Sequence, residues 1–193
     1  RLEKAQADLA TTAASYGASN KVTLAGVNQW SDYTGTSAPS KDIETAREAI
    51  RAQIGKRGNT VVMGAAVWAK VKQHPAIVDR IKYTGRDSVT TEMLAALWDV
   101  DRVLVGDAVY TDASGTMTDV WGKFVVVAYT EVGTVADLGE PNYGYTYRLD
   151  GAPYVEQGYQ DRNAKSDIYP VTDEVSPVLT AAVSGYLISA AVA

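Results

Sequence analysis

Phe124-Val125-Val126-Val127-Ala128-Tyr129 is apolar at every position. A strand with one face in water alternates apolar and polar residues, because successive side chains point to opposite faces. A run without that alternation has to be covered above and below. The core of the second half of the chain is therefore expected here, in a strand enclosed on both faces.

The other elements read as short strands and amphipathic helices in alternation. Thr60-Val61-Val62-Met63, bounded by Gly64, is β-branched and too short for a helix, and Arg102 to Val105, closing at Gly106, reads the same way. Ahead of them, Ser40 is placed to cap a helix in which Asp42 and Glu44 favour the positive end of the dipole. Ile43, Ala46, Ile50 and Ile54 line one face of that helix, and Gly55 stops it. Ala65 to Gln73 turns Val67, Trp68 and Val71 inward; Pro75 restricts His74, and a further turn carries Ile77, Val78 and Ile81. Thr90 or Thr91 caps a short helix with Met93, Leu94, Leu97 and Trp98. Trp68, Val71, Leu94, Leu97 and residues 124–127 are expected to share one core.

At the start, Leu2, Leu9 and Tyr16 recur every seven residues beside Ala5, Ala10 and Ala13, which predicts one apolar stripe on a helix ending near Gly17. Val22 to Leu24 gives a short strand signal before a polar loop that ends at Pro39, and 111–119 is small and polar around Gly115. Tyr143, Tyr145 and Tyr147 alternate with Gly144, Thr146 and Arg148, which sets three rings on one face of a strand. The last forty residues read as strands with one turn at Ser184-Gly185. The class is α+β.

At 193 residues, with 46% hydrophobic and 21% charged side chains, the chain lies in the ordinary globular range and supports one or two domains. A net charge of −5 and a pI near 4.9 exclude a domain dedicated to neutralising phosphates. The longest mostly apolar stretch, 178–193, is shorter than the roughly 20 residues of a membrane span and carries Thr180, Ser184, Gly185 and Ser189. Without cysteine there are no disulfides, thiolate nucleophiles or Cys-based metal sites, which suits a reducing cytoplasm. The chain opens Arg1-Leu2-Glu3-Lys4, with neither Met nor a secretory pattern, so it is expected to be a piece of a longer parent.

Candidates for chemistry are few. His74 is the one histidine, and directly before Pro75 it reads as a helix-end residue rather than a general base. Asp99-Val100-Asp101 sets two carboxylates on one side of an extended segment, where acids are commonly turn formers. Asp107, Asp112 and Asp119 do not fit a calcium loop, and Gly115 to Gly122-Lys123-Phe124 has the wrong spacing for a phosphate loop. The tyrosine stripe has no interleaved basic residues, so a core or a subunit interface is the better reading than base stacking, and Lys56-Arg57 is too short for a nucleic-acid patch. No catalytic, cofactor-binding or metal-ligating residue is expected, and no enzyme activity.

Several segments, in order, resemble one family. Asn20-Lys21-Val22-Thr23-Leu24 leads to Gln29-Trp30-Ser31-Asp32-Tyr33; Asp42-Ile43 opens a helix; Asn59 to Gly64 precedes Val67-Trp68; then comes His74-Pro75-Ala76-Ile77. Leu94 to Val100 runs into Val103-Leu104-Val105-Gly106, followed by Trp121-Gly122 and Gly185-Tyr186-Leu187-Ile188. This string is similar to the major capsid proteins of tailed bacteriophages, with a departure at Gly58, where that group has Pro.

The resemblance implies a Hong Kong 97-type capsid fold with a peripheral domain (spine helix plus long strands) and an axial domain (mixed sheet with flanking helices). Residues 1–58 would hold the spine helix, 59–141 the axial domain, and 142–193 the strands returning to the peripheral domain. It further implies self-assembly through heterologous contacts into pentamers, hexamers and an icosahedral shell around double-stranded DNA that is enclosed but not specifically bound. The partners implied are copies of the chain itself, with scaffolding, portal or decoration proteins as further candidates and no membrane. The location implied is the virion, assembled in the host cytoplasm. The N-terminal arm and extended loop usual in that family are not found before Arg1, so this piece alone is not expected to close a shell. A bacterial encapsulating nanocompartment shell shares the resemblance; a small hydrolase using Asp99, Asp101 and His74 is the alternative from another class.

Overall fold

The computed structural model describes residues 1–81, 88–131 and 141–193. The helices are α1 (Leu2–Thr11), α2 (Pro39–Ile54), α3 (Ala65–Val71), α4 (Pro75–Ile81) and α5 (Thr91–Trp98). The strands are β1 (Lys21–Thr23), β2 (Thr60–Gly64), β3 (Arg102–Gly106), β4 (Val109–Thr111), β5 (Met117–Asp119), β6 (Val125–Ala128), β7 (Gly144–Arg148), β8 (Tyr154–Val155), β9 (Tyr159–Asp161), β10 (Ser166–Ile168), β11 (Val171–Thr172), β12 (Val175–Leu179) and β13 (Gly185–Ser189).

Five strands form a mixed sheet in the order β1-β13-β6-β2-β3. The β6 run sits at its centre, antiparallel to both β13 and β2, while β2/β3 and β1/β13 are parallel. The register lines up Val105, Met63, Val125, Ile188 and Val22 across all five strands, and Val103, Val61, Val127 and Tyr186 in the next row of the same face. Ile43, Ala46 and Ile50 of α2, Val67 and Val71 of α3, Ile77 of α4, Leu94 and Trp98 of α5, and Trp30 close over these rows. On the other face Val126, Ala128 and Leu187 meet Ala10, Tyr16, Trp121, Phe124 and Tyr143. The run at 124–129 is thus enclosed above and below, and each of its three buried valines contributes about 1.5–3 kcal/mol.

The residues expected to share one core divide between the two faces. Val71, Leu94, Val125 and Val127 lie in the helix-side core, Trp68 and Leu97 are half-buried at its margin, and Phe124 and Val126 point to the opposite side. Strand alternation is the cause, since neighbours in β6 cannot face the same way. The helix-side core takes residues from 1–58, 59–141 and 142–193 alike.

Local signals account for most boundaries. Thr90 caps α5 by accepting from the Met93 amide at 3.4 Å, and Gly55 closes α2 in the left-handed region at φ 75. Ser40 does not cap α2. The helix starts one residue earlier on Pro39, whose missing N–H costs nothing there, and Ser40 instead accepts from the Trp98 indole at 3.1 Å. The first helix also stops early, at Thr11, because Thr11 and Thr12 hydroxyls bond back to the carbonyls of Ala7 and Asp8. Tyr16 follows a 3-10 turn, and the buried residues of α1 are Ala7 and Ala10 rather than a leucine stripe. β2 and β3 both end on glycine because the loop at Trp121-Gly122 crosses them so closely that neither Gly64 nor Gly106 has room for a Cβ.

Arg47 is buried on the apolar face of α2, and its guanidinium serves three chain segments. It donates to the carbonyls of Gly58 at 3.2 Å and Trp98 at 2.8 Å, and to the carboxylates of Glu44 and Asp99 at 3.0 Å each. Beside it Asn59 pairs with Thr130 in both directions, 2.9 Å each way, so the chain is fastened where it enters and leaves the stretch 59–130.

Candidate assembly surface

Beyond Tyr143 the chain leaves the sheet. β7 pairs antiparallel with β12 from Gly144↔Leu179 to Arg148↔Val175; then β8 pairs with β11, and β9 with β10. The pairings are nested, so 144–179 is one long β-hairpin. Its end turns at 162–165, where Asp161 accepts from the Asn163 and Ala164 amides. The single turn expected at Ser184-Gly185 is therefore not the only reversal; Ala182–Ser184 is a 3-10 turn leading into β13. On the outgoing strand 149–153 oppose only 173–174, and 156–158 oppose 169–170, so extra residues bend the hairpin twice.

No residue from 144 to 181 is buried. Near the sheet the hairpin has one covered face: Gln6 of α1 donates to Thr146 at 3.0 Å, and a cavity of about 250 Å³ lies between α1 and the hairpin, lined by Leu9, Ala10, Trp121, Tyr143, Pro177 and Leu179. Tyr145 and Val178 line the cavity too, and Tyr147 continues outward from Tyr145, ring centroids 6.2 Å apart. The three alternating rings have different surroundings: Tyr143 and Tyr145 are half-buried, and Tyr147 is exposed. Further out Tyr154, Val155, Tyr159, Tyr169 and Val171 are all exposed.

The hairpin is fastened at its base. The Tyr16 hydroxyl donates to the Ala10 carbonyl at 2.7 Å and is itself bonded to the Tyr143 hydroxyl, the two rings stacking at 6.4 Å. Burial raises both phenol pKa values, Tyr143 to about 12, so the pair stays neutral and serves as a joint between α1 and the hairpin. Thr180 completes it, donating through its hydroxyl to Asn142 at 2.7 Å and through its amide to Tyr143 at 3.1 Å.

The residues singled out for chemistry lie elsewhere and apart from one another in role. His74 is buried between α3 and α4, with Tyr33 edge-on at 5.6 Å. Its Nδ1 accepts from the Ala76 amide at 3.2 Å, so the ring proton is on Nε2 and is donated to Ser37 Oγ at 2.8 Å. Ser37 in turn donates to the Asp32 carbonyl at 2.8 Å, the reverse of the polarity a base needs toward a nucleophile. Burial holds the His74 pKa below its usual value. Asp99 closes α5 in the left-handed region at φ 52 and is tied to Arg47, whereas Asp101 accepts from Asn59 at 3.1 Å. Among the described residues no three His, Asp or Glu side chains gather to hold a metal, and no helix is long and apolar enough to cross a membrane.

This chain is 38% identical over 192 residues to the major capsid protein of Burkholderia phage BcepMu, an alignment covering 98% of this chain and 61% of that protein. In structure it is similar to a phage-related protein from Bordetella bronchiseptica RB50, with a TM-score of 0.88 and 40% identity over 97% of this chain and 60% of the other. A candidate capsid protein of a prophage in E. coli CFT073 shares the fold at a TM-score of 0.50 and 17% identity, over 90% of this chain and 53% of that one. The likeness to the BcepMu protein puts the chain in the class of phage capsid proteins. The sequence profile described as phage major capsid protein E matches residues 3–166, and the chain belongs to that family. It spans about three fifths of the length of the relatives it matches first.

Proposed function

We propose that this chain is the assembly portion of a head-shell subunit that repeats one head-to-tail contact into pentamers and hexamers and closes an icosahedral shell around double-stranded DNA. A heterologous contact closes into a ring whenever the rotation per copy permits it, so one interface serves both ring sizes. On this reading the fold is of the Hong Kong 97 type, with α2 as the spine helix, 59–141 as the axial domain, and 1–58 with 142–193 as the peripheral domain. That division is one of contact surfaces rather than of separate cores, since all three stretches feed the helix-side core. The shell is the virion capsid, built in the host cytoplasm from copies of this chain, with scaffolding, portal and decoration proteins as further partners. The net charge of −5 suits a container that encloses DNA without gripping it. No residue acts as a catalyst, cofactor ligand or metal ligand.

The observation that carries the reading is a body enclosed on both faces of its sheet beside a hairpin in which nothing is buried. Electron microscopy of the full-length parent expressed alone tests it. Closed particles of uniform diameter are expected; a monodisperse monomer at high concentration, or particles loaded with a cargo enzyme, would overturn it.

A further inference from the structure

We infer that the hairpin 144–179 is a clasp whose occupant is a second copy of this chain, an inference that rests on the shell-subunit reading. A two-stranded ribbon is marginal in water by itself, and among the described residues this one is supported at its base, where α1 lies against Thr146. The outer ladders β8–β11 and β9–β10 have side-chain hydrogen bonds that stay within the hairpin, as between Thr172 and Glu156 at 2.6 Å. Apolar side chains nevertheless populate both of their faces: Tyr154 stands opposite Thr172 on one, and Val155 opposite Val171 on the other.

The described part of the chain's own body leaves the outer half of the hairpin exposed. From Gly144 to the turn at Arg162 the outgoing strand has a contour of about 60 Å at about 3.3 Å per residue, whereas a body of roughly 150 residues has a radius of gyration of about 15 Å. Area indicates an interface of ordinary size. Tyr147, Tyr154, Tyr159 and Tyr169 are 57%, 45%, 57% and 70% exposed. At about 200 Å² per ring they present about 450 Å², over half of the about 800 Å² that one partner of a stable complex buries.

Charge narrows the occupant to protein. Between 142 and 181 three basic residues, Arg148, Arg162 and Lys165, face six acids, so this apolar element is net acidic and unsuited to DNA or an anionic bilayer. The shell-subunit reading on which this inference rests supplies copies of the chain itself as the abundant protein partner. Length, area and charge all admit a second copy as that occupant.

The test uses the full-length parent with Tyr154→Ser, Val155→Ser and Val171→Ser combined, and Val27→Ser as an exposed control outside the hairpin. Because all four positions are exposed, folding by circular dichroism should be unchanged. The assembled, sedimentable fraction should fall about tenfold or more in the triple variant and stay at the parental level in the control. In a second arm, Tyr159 replaced by benzoyl-phenylalanine should on irradiation give a crosslinked dimer of the chain, with the attachment mapped to a second copy by isotope-mixed mass spectrometry. If the parent forms shells and the triple variant forms them equally well, the clasp is wrong and the shell reading stands. Crosslinking within one copy, or to lipid or a host protein instead, also overturns the clasp. A parent that forms no shells removes both.

Discussion

The body and the hairpin are built from similar residues under opposite conditions. In the sheet, Val125, Val126, Val127 and Ala128 are all enclosed because helices lie on one face and α1 with two tyrosine rings on the other. In the hairpin, Tyr154, Val155 and Val171 have the same β-forming character and are exposed. Strand formation follows from side-chain shape and alternation, whereas stability follows from what covers the strand. The body supplies its own cover, and the hairpin relies on cover from outside.

The sharpest way to break this contrast is to truncate matched residues in each part. Leu187→Ala, at a side chain buried between β13 and the Tyr16 layer, should cost about 2–5 kcal/mol in thermal unfolding. Val155→Ala in the hairpin should cost within about 0.5 kcal/mol. Equal losses would mean the hairpin has a core of its own. Next in size, Arg47→Met should cost about 3 kcal/mol, since it leaves the Gly58 and Trp98 carbonyls without a donor in a buried setting. Its readout is chemical denaturation, and a neutral result would show that the guanidinium is not what fastens α2 to α5.

Smaller effects sharpen the boundary between the two parts. Tyr143→Phe removes the hydroxyl that meets Tyr16 and should cost about 1 kcal/mol. The expected signature is faster proteolysis at 144–179 with the body unchanged; uniform loosening would refute the joint. The smallest effect is a pH dependence confined to the body. Because burial lowers the His74 pKa in the folded state, the unfolded chain binds the proton more readily. Its contribution is complete above the ordinary value of 6.5 and is lost as pH falls from there through the lowered folded value. Unfolding midpoints between pH 7 and pH 5 should decline less in His74→Gln than in the parent chain, and identical slopes would remove His74 from the account.

Much of the body was legible in the sequence. Thr60–Gly64, Arg102–Gly106 and the 124–129 run could be read because β-branched residues bounded by glycine leave few choices, and Thr90 and Gly55 mark helix ends by their own chemistry. What local pattern cannot carry is partner choice: nothing near β6 names β13, some sixty residues on, as its neighbour. Arg47 was missed although its position speaks for it, three residues before Ile50 and four after Ile43 on the inward face of α2. The hairpin was legible as strands and not as a projection. Alternation at Tyr143, Tyr145 and Tyr147 reports which way rings point, and the same alternation serves a half-buried strand and an uncovered ribbon.

Hydrogen exchange on the full-length parent, compared between dissociated and assembled states, tests the division between body and hairpin most directly. The account predicts that amides of 144–179 exchange readily in the dissociated subunit and slow by about tenfold or more on assembly, while those of β2 and β6 are equally protected in both states. Protection of the hairpin to the same degree in the dissociated subunit as in the shell would contradict it.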